Sequence, residues 1–196
     1  MIHFVTGMHR GGTHPYARWL AEEIQAVHLE EGVFSLTDYD KALQHAKLLE
    51  SSGDVVIQCP GLGHRVLDLA KEGKVIWVTR RDPDHIVRAM LRAQINQHAW
   101  VFMRGFKESF PDDPVWDILK YDGGGDAKYG FVRYYRLLVH LKDYFFDKYF
   151  KGLAEKVYND DQPYYDPAKC LDATQELPNG IKEWLRTDVS IRIHQA

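Results

Sequence analysis

The sequence predicts an α/β fold: one three-layer domain over residues 1–196, with a central, mostly parallel sheet flanked by helices. Three observations carry this. Short apolar or β-branched runs alternate with segments of helical periodicity, the pattern of βαβ units. The runs are continuous rather than alternating, as in strands covered on both faces. The chain has 196 residues, 45% of them apolar and 27% charged, which is ordinary globular usage and excludes a disordered or fibrous protein.

Taken in order, Ile2 to Thr6 is an apolar run that stops at Gly7, a buried strand. After Gly11-Gly12 a helix begins, with Pro15 in its first turn, where its missing N–H costs nothing; Tyr16, Trp19, Leu20 and Ile24 recur at helical spacing. Ala26 to Leu29 is a second strand, ending at Glu30-Glu31. Thr37 or Asp38 caps a helix carrying Ala42, Leu43, Ala46, Leu48 and Leu49, which ends near Gly53. Asp54 to Gln58 is a compact β-branched strand broken by Pro60-Gly61, and Val66 to Ala70 is a short helix closed by Gly73. Lys74 to Thr79 is the clearest strand, and Asp84 starts a helix into the region 97–102.

Beyond that, Pro111 to Pro114 and Gly123-Gly124-Gly125 mark a lid or excursion around 108–130. Phe131 to Phe150 is an aromatic helix whose tyrosines could also line an acceptor pocket. Ala154 to Tyr158 is a last strand and Ile181 to Leu185 a last helix.

A formal charge of −3 gives no global field for nucleic acid or an acidic membrane, so an anion site must be local. The two cysteines, Cys59 and Cys170, form no disulfide framework and have no metal-ligand spacing. No segment reads as a signal peptide, and none approaches the roughly 20 apolar residues of a membrane span. A cytoplasmic protein is expected.

The phrase Thr6-Gly7-Met8-His9-Arg10-Gly11-Gly12-Thr13-His14 carries the chemistry. A strand enters a glycine-rich turn and the turn enters a helix, presenting backbone N–H groups at the positive end of a helix dipole, a site suited to phosphate. Thr13 adds a hydroxyl and Arg10 a forked cation. The Walker A pattern, G-x-x-x-x-G-K-S/T, is met by Gly7 and Gly12 but not by Thr13 and His14, which take the lysine and hydroxyl places. That counts against an ordinary magnesium-dependent kinase or ATPase.

This phrase resembles the 5′-phosphosulfate-binding loop of the sulfotransferase family, one branch of which has Gly-Met-His-Arg-Ser-Gly-Thr; Gly7 to Thr13 differs from it by Gly11 for serine. Val75 to Pro83 resembles the family's 3′-phosphate-binding segment, an apolar strand followed by Arg-x-Pro. Ala89 stands where the family has a serine. Val56 to Leu62 is similar to its central strand, with Gln58 in the place of a lysine and Pro60 in that of a histidine found in one branch. The resemblance implies a P-loop NTPase/sulfotransferase-like fold. The activity implied is transfer of a sulfuryl group from 3′-phosphoadenosine 5′-phosphosulfate (PAPS) to an unidentified hydroxyl or amine, leaving adenosine 3′,5′-bisphosphate, with no metal. On it His9, Arg10, Gly11, Gly12, Thr13 and His14 hold the 5′-phosphate side, the N–H groups of Gly11 and Gly12 among the donors, and Arg81 holds the 3′-phosphate. Arg88, beside Ala89, substitutes for the missing serine. Arg10 stabilises the leaving oxygen.

The general base is left open between His64, just past the third strand, Glu31 or Glu30 after the second, and Asp38. Two other readings remain: a P-loop kinase or phosphotransferase acting on a nucleotide, nucleoside or modified base, with Asp38 as base, and a non-catalytic nucleotide-binding module.

Overall fold

The computed structural model describes residues 1–31, 38–79, 85–86, 89–90, 99–119, 130–157 and 163, with the backbone alone at 99–100, 130–136 and 157. The chain divides into two compact units, Met1–Arg81 with Phe150–Ala168 and Asp82–Tyr149 with Lys169–Ala196.

The first unit contains β1 (Ile2–Gly7), α1 (Thr13–Glu23), β2 (Val27–Leu29), α2 (Tyr39–Glu50), β3 (Val55–Gln58), a 3-10 turn (Pro60–Arg65) running into α3 (Val66–Glu72), β4 (Lys74–Thr79) and β5 (Ala154–Val157). The five strands form one parallel sheet in the order β2-β3-β1-β4-β5. The α/β class and the parallel sheet are therefore as the alternation of runs predicts. β1 is central: Val5 pairs with Gln58 of β3 on one side, and Thr6 with Trp77 of β4 on the other. Phe4, Val5, Val55, Val56, Ile57, Trp77 and Val78 are all 0% exposed, which is why these strands are apolar without alternation. The edges differ: Val27 of β2 is exposed, and so are Ala154, Glu155 and Lys156 of β5, where charge discourages pairing with another chain.

Right-handed crossovers place α1 on one face and α2 and α3 on the other, because the chain reverses its direction across the sheet after β2. Contacts agree. Lys47 of α2 lies 2.8 Å from Glu72 of α3, and the Arg65 guanidinium stands 4.6 Å over the Tyr39 ring. The helix after β1 thus leaves on the opposite face from the helix after its neighbour β3. The carboxyl ends of β1 and β3 therefore form a topological switch point, the place where open parallel α/β sheets hold ligands.

The second unit contains helical residues at His85–Ile86 and Ala89–Met90, then α4 (Ala99–Ser109), α5 (Val115–Leu119) and α6 (Gly130–Phe145), which passes into a π-helical turn (Phe146–Phe150) whose last residue, Phe150, belongs to the first unit. Its core is aromatic: Phe145 stacks on Phe106 at 5.0 Å and on Phe110 at 4.8 Å, and Tyr149 covers Phe110 at 4.7 Å. Within the expected excursion, residues 110–119 form a turn and α5, with Asp113, Val115 and Trp116 buried; residues 120–129, the glycine triplet included, lie outside the described residues. So does the expected helix at 181–185. Among the described residues no helix is long and apolar enough to cross a membrane.

Candidate functional site at the carboxyl edge of the sheet

The loop from Gly7 to Gly12 is shaped by three residues in positive φ. Gly7 has φ 124° and lies against β4, where a Cβ would stand 2.2 Å from the Val78 carbonyl oxygen; no side chain fits. That approach lets the Met8 N–H donate to the Val78 carbonyl at 3.0 Å, fastening the loop to the sheet. Arg10 follows at φ 59°, the left-handed region that residues with a Cβ enter at a cost of about 1–2 kcal/mol. Gly12, at φ 97° and ψ 12°, is the N-cap of α1. Strain of this kind gathers at functional loops.

Gly11 corrects one expectation. Its N–H donates to the Met8 carbonyl at 3.0 Å, closing the turn, so it is not among the amides that face a ligand. A Cβ at Gly11 would meet Met8 Cβ at 2.7 Å and the Met8 carbonyl oxygen at 2.8 Å, so the turn as it stands has no room for a side chain there. The donors left are those of the helix start: the first amides of α1 have no intrahelical acceptor, and among the described residues no side chain caps them.

Thr13 is the first residue of α1 and is buried, its hydroxyl accepting a hydrogen bond from Gln58 Nε2 at 3.3 Å. At the end of β3 the Thr6 hydroxyl donates to the Cys59 carbonyl at 2.9 Å, tying the end of β1 to the same corner. His9 is buried in the loop, and Arg10 is exposed at its tip. His14 is half-exposed, with Nδ1 3.9 Å from Glu30 Oε1 and its ring 5.8 Å from that of His28. Burial holds the His28 imidazole below its usual range, against the opposing pull of Glu30.

The structure therefore places His9, Arg10, Gly11 and Gly12 in the loop at the carboxyl end of β1, and Thr13 and His14 in the first turn of α1 that follows it. Glu31 follows β2 and His64 lies in the 3-10 turn after β3, both half-buried on connections at the same edge of the sheet. Asp38 is occupied otherwise. It caps α2, its carboxylate accepting from the Lys41 amide at 3.0 Å, and that bond holds its carboxyl below the usual range. Arg81 and Arg88 lie outside the described residues. The partnership of Gln58 with Thr13 was not visible in the sequence, where Gln58 stood only for an absent lysine; the signal available was its position at the end of the strand beside β1. Among the described residues no group of three or more His, Cys, Asp or Glu side chains is placed to hold a metal ion.

Comparison with protein-family models, with curated proteins and with solved structures finds no match to this chain.

Proposed function

We propose that the chain is a sulfotransferase-like enzyme that takes 3′-phosphoadenosine 5′-phosphosulfate as donor and passes its sulfuryl group to a hydroxyl or amine acceptor. The observation that supports this most is the loop itself. Positive-φ residues turn the chain from the end of the central strand into an uncapped helix start, with an arginine at the tip and a buried threonine beneath. A tetrahedral oxyanion fits that donor set.

On this reading the first amides of α1 and the Thr13 hydroxyl hold the 5′-phosphate, Arg10 neutralises charge on the leaving oxygen, and Arg81, with Arg88, binds the 3′-phosphate. The nucleotide supplies the sulfuryl group. His64 or Glu31 receives the proton that the acceptor gives up as its new bond to sulfur forms. Such a transfer needs positioning and electrostatic stabilisation more than covalent participation by the protein. The kinase reading loses support from Asp38, whose carboxylate caps a helix.

Thermal unfolding with adenosine 3′,5′-bisphosphate, with ATP and magnesium, and without ligand tests the proposal. A ligand at about a hundred times its dissociation constant stabilises by roughly 2.7 kcal/mol. The bisphosphate is expected to raise the midpoint, less so in Arg81→Ala and Arg10→Ala. A response to ATP with magnesium alone would transfer the case to a kinase, and silence with every nucleotide would end it.

A further inference from the structure

The contact between Gln58 and Thr13 does more than pack two side chains. Gln58 closes β3 at 5% exposure and Thr13 opens α1 at 3%; the two are 45 positions apart in sequence and meet through a bond from Nε2 to Oγ1. The register explains the meeting, since Gln58 pairs with Val5 just before the glycine loop begins. A hydroxyl has one proton to give and two lone pairs to receive with. The carboxamide N–H occupies a lone pair, and among the described residues this is the bond the hydroxyl makes. Its proton is left over. The groups that begin a helix are themselves N–H donors and cannot take that proton, whereas an oxyanion brought to them can.

We infer that Gln58 is a positioning residue, holding Thr13 as a hydrogen-bond donor toward the anion bound at the start of α1; this rests on the nucleotide-binding reading above. The orientation of the amide is decisive. With Oε1 toward Thr13 the hydroxyl would spend its proton on Gln58 and turn lone pairs to the anion. The buried, uncharged carboxamide therefore acts through Thr13 and not on the ligand.

The test is a double-mutant cycle in calorimetric affinity for adenosine 3′,5′-bisphosphate, using the full chain, Gln58→Met, Thr13→Val and both together, with Thr13→Ser as the conservative variant. Loss of a hydrogen bond to a charged group weakens binding roughly tenfold, so each single variant is expected to lose about that much. The double variant should lose no more than the worse single one, and Thr13→Ser should bind as the parent does. Urea midpoints taken alongside separate loss of fold from loss of affinity. Independent, additive losses, or an unchanged Gln58→Met, would overturn the inference and leave the nucleotide reading standing. A parent chain that does not bind the bisphosphate would overturn that reading, and this one with it. Should Gln58→Met not fold, the side-chain amide protons of Gln58 in the parent decide by NMR. They are expected to stay protected and to shift on saturation with the bisphosphate, and rapid exchange or no shift overturns the inference.

Discussion

Arg10 and Gly7 both carry positive φ, yet substitution should separate their roles. At Arg10 glycine relieves left-handed strain of about 1 kcal/mol, and the flexibility it adds to the unfolded chain costs about as much. The backbone contributions to the urea midpoint are therefore expected to cancel in Arg10→Gly, while calorimetric affinity for adenosine 3′,5′-bisphosphate falls by about 1.5–3 kcal/mol. A loss of stability matching the loss of binding would make Arg10 a structural residue. At Gly7 the added Cβ meets the Val78 carbonyl oxygen at 2.2 Å, and both are backbone positions that cannot turn aside. Gly7→Ala should cost about 3 kcal/mol or more in urea unfolding, overpacking and strained φ together. The strand, the glycine turn and the helix after it were legible, because glycine at the end of an apolar run and proline in a first turn mark a turn and a helix start. The bond by which Gly11 closes that turn was not, since whether an amide faces a ligand or a carbonyl depends on the backbone of Met8 three residues earlier.

The aromatic helix of the second unit shows how an element can be read correctly in extent and missed in winding. Its apolar spacing gives a helix over 131–150, and α6 with its π turn covers that stretch. The departure from α geometry follows from Asp113. Its Oδ1 accepts from the Tyr144 hydroxyl at 2.9 Å and its Oδ2 from the Tyr149 hydroxyl at 2.7 Å. In an α-helix residues five apart lie about 140° round the axis and cannot reach one carboxylate together; the wider π turn brings them to the same side. Lys148 Nζ stands 3.1 Å from Oδ2 and also bonds the Tyr144 hydroxyl, and the Val115 amide donates to Oδ1 at 2.9 Å. Burial by itself would raise the Asp113 carboxyl, but these donors hold it below its ordinary value near 3.8. A depressed carboxyl contributes stability that is complete above its unfolded pKa and is lost as pH falls through its folded one. Asp113→Asn is expected to flatten the acid limb of unfolding below about pH 4, and Tyr144→Phe and Tyr149→Phe to cost about 1 kcal/mol each by urea titration. An acid limb unchanged in Asp113→Asn would show that the carboxylate is not held as a charged group.

At the scale of the whole chain, the sequence displays the alternation of strand and helix but not the order in which the strands are laid down. The position of β3 between β2 and β1 is decided by which helix faces pack on which side of the sheet, information spread over Ala17, Ala42, Ala46 and Leu69 rather than held in any strand. The same sheet sets the response to acid. His3 sits in β1 and His28 in β2, and burial is the first cause lowering both imidazoles. Around His3 the Lys74 charge adds to that lowering and Asp54 opposes it; around His28, Glu30 and Glu22 oppose while His14 and Arg18 add. A histidine held neutral by folding takes up its proton in the unfolded chain first. Stability therefore falls as pH drops below about 6.5 and levels off once the folded imidazoles are protonated too. The carboxylates, Asp113 among them, take over at lower pH. A two-stage profile of urea midpoint against pH is expected, with the upper stage reduced in His28→Gln and the lower one intact. A profile level from neutrality down to the carboxylate range would mean that these imidazoles meet no desolvation in the folded sheet. The packing around β1 and β2, from which their burial arises, would then need to be looser than the parallel register of β1, β2 and β3 implies.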